Sequence, residues 1–211
     1  TQALMERFRR AGVVAQDTRG RFSEKDYELF VDYMSTYRED LDSETLRTAA
    51  EVQARKHHEV WPEVRTPNKM DHLALVRLEV AVKTIAHSGI AVSELKKCVW
   101  GDVQVQSTDQ RSVSVIRLRS QAAADGKERV VFCTDGPESH RRLSELQRLL
   151  ARAGGAVGPD DFIFASQRDR KTIINLAVGM RQHLQKAELW EDEHGCRRTL
   201  SSLRTFFVER C

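Results

Sequence analysis

The chain has 211 residues, 40% of them apolar and 31% charged, which is enough to bury a core in one large domain or two small ones. No apolar run approaches the roughly 18 residues a membrane span needs, so a soluble cytoplasmic protein is expected and a membrane partner is not. Net charge is only +3, yet residues 1–110 carry a net −2 and residues 111–211 a net +5, a bias of the second half towards polyanions.

Residues 1–21 are polar and basic and read as a short N-terminal helix and linker, with the main domain at 22–211. "FSEKDYELFVDYMSTYRED" follows as a helix capped by Ser23, with Tyr27, Phe30, Val31, Met34 and Tyr37 at helical spacing. "DSETLRTAAEVQARKHHEVW" reads as a second helix capped near Ser43 and ended by Pro62 and Pro67. His57 and His58 read there as solvated helix residues. "KMDHLALVRLEVAVKTIAHSG", starting at Asn68 or Lys69, is the most apolar helix and the candidate centre of the core, closed by Gly89. "VSELKKCVW" is a short helix behind it.

After Asp102 the texture changes. "VQVQ", "SVSVIRLRS" and "ERVVFCTD" alternate or are β-branched, which predicts a three-stranded antiparallel sheet. A helix from Pro137 to Gly154 comes next, then "DDFIFAS" as a short buried strand or turn. "DRKTIINLAVGMRQHLQKAEL" reads as a helix capped by Asp169. "TLSSLRTFFVERC" reads as one capped by Thr199, with Leu200, Leu203 and Phe207 on one face. The fold class is mainly α with a small antiparallel β-sheet (α+β). Cys98, Cys133, Cys196 and Cys211 form no C-x-x-C pair, so neither a zinc site nor a disulfide framework is implied. No metal and no cofactor are expected, His194 in "EDEHGC" included.

One order of motifs stands out. An apolar helix runs into "GIAVSEL", then "WGDV" leads into the sheet, and "RTLSSLRTFF" lies on the last helix. In this order, over residues 22–211, the chain resembles the catalytic domain of the tyrosine recombinases, the phage integrase family. That resemblance implies double-stranded DNA as partner, a cytoplasmic, nucleoid-associated location, and assembly as a homo-oligomer or with a partner recombinase. In the family, a tyrosine attacks a phosphodiester while two arginines, a lysine and further donors hold the phosphate oxygens and protonate the leaving oxygen.

Position by position, the resemblance implies a degenerate set. The structural motif is kept at Gly89, Glu94, Trp100 and Asp102. The first arginine falls on Ala91, the hairpin lysine on Ala124, and the remaining donors on Ser201 and Thr205. Arg204 retains the second arginine, and Lys127 stands near enough to replace the lysine if the hairpin shifts register. The only tyrosines, Tyr27, Tyr33 and Tyr37, precede the first motif, so any nucleophile is expected beyond Cys211.

The residues themselves also admit structural readings. Gly89 is a helix C-cap, Trp100 a core residue, and Glu94 equally one end of a surface pair with Lys97. Arg204, beside Leu203 on an apolar helix, is expected to be buried with partners. Candidate DNA contacts in the basic half are Arg117, Arg119, Lys127, Arg129, Arg141, Arg142, Arg197 and Arg198. The expected function is DNA binding by a catalytically impaired recombinase fold. The alternatives are an active recombinase altered at these positions and a helical protein-interaction module.

Overall fold

Ser23 sets the start of the first element. In the computed structural model, which describes residues 19–56, 69–108, 111–165 and 173–210, its Oγ accepts from the Asp26 amide at 3.1 Å. Asp26 Oδ2 in turn accepts from the Ser23 amide at 3.3 Å and hydroxyl at 2.8 Å. This reciprocal cap opens α1, Glu24–Lys56. The predicted break near Ser43 is absent: α1 is one helix of 33 residues. No glycine or proline lies within it, and the capping side chains at 40–43 permit a helix start without forcing a stop. The expectations for residues 1–18, His57, His58, Pro62, Pro67, Asp169 and Cys211 lie outside the described residues.

Helix α2, Lys69–Ser88, is the centre the sequence predicted. Leu75, Val76, Leu78, Val80, Ala81, Val82, Ile85 and Ala86 are all buried, which covers most of its circumference. Helices α1, α4, α5 and α6 pack around it. The short α3, Val92–Leu95, and a 3-10 turn, Trp100–Asp102, lead from it into the sheet.

The sheet is the predicted one: β1, Val103–Thr108; β2, Arg111–Leu118; and β3, Arg129–Phe132, antiparallel in the order β1-β2-β3. Val103 stands opposite Ile116, and Leu118 opposite Arg129. The alternation of a strand sends Ile116, Leu118 and Val131 into the core, and leaves Arg117, Val130 and Phe132 exposed on the other face.

Helix α4, Pro137–Gly154, starts on its proline and buries Leu143, Leu146 and Leu150. "DDFIFAS" forms isolated bridges, Val99 with Phe162 and Ala165 with Ile173, over buried Ile163 and Phe164. Helix α5, Leu176–Lys186, begins later than predicted. Ile173 and Ile174 are spent on pairing with that segment, and Asn175 supplies the cap, its side chain accepting from the Ala177 amide at 3.2 Å.

Helix α6, Leu200–Arg210, buries Leu200, Leu203 and Phe206, with Phe207 half-buried beside them. Thr199 sits at its cap position; its amide donates to Ser202 Oγ at 3.0 Å, and its hydroxyl lies 3.4 Å from that same oxygen. The far end of α6 returns to the first described residues through the Arg21–Glu209 (3.3 Å) and Arg210–Glu24 (3.0 Å) ion pairs.

Candidate nucleic-acid interface

The turn after α2 is built on Gly89, whose φ is +65°. A Cβ there would lie 2.4 Å from Phe207 Cδ1, so the bare backbone is what lets α6 seat against the end of α2. Two residues on, the Ala91 amide donates to Glu94 Oε2 at 3.0 Å. Glu94 Oε1 accepts from the Ala124 amide at 2.9 Å and from Arg129 Nη2 at 2.6 Å. One carboxylate, its side chain 1% exposed, thereby ties the turn, the β2–β3 connection and β3 together. Burial pushes its pKa up, but the bonds from Ala124, Arg129 and Ala91 outweigh that and hold it below the ordinary value. The alternative pairing with Lys97 is not made; Lys97 Nζ reaches the Gln121 carbonyl at 3.3 Å.

Asp102 repeats the device one step along the chain. Also buried, it accepts from the Val99 amide at 3.1 Å and from Arg119 Nε at 2.5 Å. Trp100 beside it is a core residue. Two buried carboxylates therefore hold two arginines whose side chains stay open to solvent, Arg119 at 50% and Arg129 at 38%. Between them, Ala124 and Lys127 are exposed on the connection, which turns at Gly126 with φ +70°. The Lys127 amide donates to Asp125 Oδ1 at 3.1 Å, and Arg129 Nη1 lies 3.5 Å from that same oxygen.

Arg204 is not buried. It is exposed, and its side chain makes no ion pair or hydrogen bond among the described residues. The buried stripe of α6 runs through Leu200, Leu203 and Phe206, and position 204 lies about 100° of helix rotation past Leu203. It stands one turn before Phe207, whose ring packs on Gly89. Ser201 and Thr205 are half-buried on the same helix.

Two of the predicted DNA contacts lie inside the protein. Arg142 is 5% exposed and paired with Asp135, and Arg198 is 5% exposed and bonded to Asp26 and to three backbone carbonyls. Asp26 lies 172 residues from Arg198, and Asp135 lies seven residues before Arg142, ahead of the helix start where no helical spacing pairs them; in each case the carboxylate is what permits burial. Arg117 and Arg141 are exposed, with Glu128 (2.5 Å) and Glu138 (2.9 Å) as partners; Arg197 is exposed. The sequence reading also missed a half-buried pair beside the turn. The Tyr27 hydroxyl lies 3.1 Å from His87 Nε2, and burial pushes the tyrosine pKa up and the histidine pKa down. Among the described residues no cluster of His, Cys, Asp or Glu is placed to hold a metal ion, and no helix is long and apolar enough to cross a membrane.

A central apolar helix ending on a glycine turn, a three-stranded antiparallel sheet and a closing helix that carries an arginine make this a fold like that of the tyrosine recombinase catalytic domain. Solved structures of that shape include the XerH site-specific recombinase bound to palindromic difH substrate in a post-cleavage complex. It has 12% identity and a TM-score of 0.58, over 93% of this chain and 44% of that one. The pre-cleavage complex of XerH with difH is similar at 11% identity and a TM-score of 0.54, over 92% and 44%. This chain thus spans less than half the length of those recombinase chains, and at such identity the similarity is one of fold. No protein-family model and no curated protein matches the chain.

Proposed function

We propose that this protein binds double-stranded DNA through a tyrosine recombinase fold whose catalytic set is impaired. It acts in DNA binding and regulation, or as a partner in site-specific recombination. The observation that carries this reading is the contrast at one turn. Glu94 still braces the backbone of Ala91 and Ala124 and the side chain of Arg129, while positions 91 and 124 themselves present only methyl groups. The brace survives and two of the donors it would have positioned do not. Losing one donor to a phosphoryl-type transition state costs about 10²–10³ in rate, and combined losses leave little to build on. Binding tolerates the same losses, because phosphate contacts are spread over many cations. Arg204, Lys127, Arg119, Arg129 and Arg197 are the solvent-facing cations this reading uses, with Arg117 and Arg141 at its margin.

A second reading, an active site-specific recombinase altered at these positions, is favoured by the exposure of Arg204 and its lack of a protein partner. A nicked suicide substrate separates the two. We expect salt-sensitive binding of duplex DNA and no covalent protein–DNA adduct, and we expect Ala91→Arg alone to leave the adduct absent. An adduct would reject impairment. Binding that is absent, or flat between roughly 50 and 200 mM salt, would reject both readings in favour of a protein-interaction module.

A further inference from the structure

Arg198 is spent on structure in a place that joins the two ends of the described chain. Its Nε donates to the Arg21 carbonyl at 2.6 Å, and its Nη2 meets Asp26 Oδ2 at 2.7 Å. Its Nη1 donates to the carbonyls of Leu189 at 3.0 Å and Glu191 at 2.6 Å. The guanidinium carbon also lies 5.4 Å from the centre of the Phe22 ring, itself buried. Arg198 stands two residues before α6.

The strand of chain it grips is held from other sides as well. The Gly20 amide donates to the Arg197 carbonyl at 2.8 Å, and the Arg21 amide to Asp192 Oδ2 at 3.0 Å. Asp192 in turn accepts from the amides of His194 and Cys196, both at 2.9 Å, and so shapes the loop that delivers α6. At Gly20 a Cβ would lie 2.2 Å from the Cys196 carbonyl oxygen, so the contact is backbone against backbone with no room for a side chain. At the other end of α6, Arg21 reaches Glu209. Residues 20–22 form a strap laid across the start of the helix that carries Arg204.

We propose that Arg198 is a positioning residue that rivets this strap to α6, so that the placement of Arg204 against a DNA phosphate depends on the path of the chain at residues 20–22. A displacement of residues 20–22 reaches α6 through this rivet, with the Gly20–Arg197 and Arg21–Glu209 contacts beside it. The phosphate clause rests on the DNA-binding reading above; the mechanical coupling does not.

The test is a mutant cycle in the full chain. Duplex DNA affinity is measured for Arg204→Ala, Arg198→Gln and the double variant, with hydrogen exchange of the α6 amides followed in parallel. With the strap intact, Arg204→Ala is expected to weaken binding about tenfold, the loss of one charge-assisted hydrogen bond. In the Arg198→Gln background the same change is expected to cost less than about twofold, and α6 exchange to rise by about tenfold or more. Arg198→Lys keeps the charge but not the fork, and is expected to stay uncoupled. If Arg198→Gln does not fold, Gly20→Ala disturbs the strap from the other side without touching the arginine, and the same uncoupling is expected. An equal Arg204→Ala effect in both backgrounds, or α6 exchange unchanged by either strap variant, overturns the proposal. An Arg204→Ala change without effect in the parent chain, with α6 exchange still strap-dependent, retires the phosphate clause and the role of Arg204 alone.

Discussion

Glu94 carries a charge into a site with almost no solvent, and three donors meet it there. Glu94→Gln replaces one acceptor oxygen by a donor, so an amide or the Arg129 guanidinium loses its partner. The expected cost is about 2–3 kcal/mol in urea unfolding, below that of a fully buried pair because Arg129 keeps solvent contact. The pH dependence follows from the lowered pKa of Glu94. Its contribution is complete above the unfolded carboxyl value, roughly 4.3, and disappears as pH falls through the lower folded value. Thermal melts between pH 7 and pH 3 are therefore expected to show an acid limb that is shallower in Glu94→Gln. Gly89 makes the companion case, since Gly89→Ala meets both a left-handed backbone and the Phe207 ring. A loss of at least about 1–2 kcal/mol is expected from the backbone term alone. Calorimetry of Gly89→Ala beside Phe207→Leu would separate the two terms.

At the scale of elements, what could be read in the sequence was whatever one segment decides by itself. The apolar girth of α2, the alternation in β2, Pro137 at the head of α4 and Ser23 at the head of α1 are local properties; α2, β2 and α4 formed where their patterns placed them, and α1 started at its cap but ran on past the break predicted near Ser43. Ser23→Ala is expected to cost about 0.5–2 kcal/mol by removing one half of a reciprocal cap, measurable by chemical denaturation. The start of α5 was less legible. Ile173 and Ile174 have no reason to leave a helix until Ala165 and Phe164 arrive to pair with them. The arginines were least legible of all. Arg198 and Arg204 sit six residues apart on the same stretch, yet one is buried and the other exposed, because Asp26 lies 172 residues from Arg198 and pattern has no access to it. The site motif was legible as an order of residues, but the role of Glu94 as the tie between turn and sheet emerged only with the register of β2 and β3.

For the whole molecule, the modest net charge of +3 hides how the cations are distributed. Arg142 and Arg198 are consumed internally, and Arg117 and Arg141 are paired on the surface, which leaves Arg204, Lys127 and Arg197 without side-chain partners among the described residues. Salt titrations of duplex binding should sort them. Arg204→Gln and Lys127→Gln are each expected to reduce the log–log salt slope by about 0.9, the signature of one phosphate contact. Arg142→Gln is expected to lower stability and leave the slope alone, because Asp135 rather than DNA is its partner.

The ion pairs that join Arg21 to Glu209 and Glu24 to Arg210 close the described chain into a ring. A ring has no privileged opening. Linking residue 210 to residue 19 through a short glycine–serine bridge and cutting at Gly126, which is exposed with nothing within 4 Å of a Cβ there, should yield a circular permutant that still folds. Its far-ultraviolet circular dichroism and cooperative melt are expected to match the parent, and loss of the cooperative transition would show that the order of the chain, rather than its contacts, holds the fold.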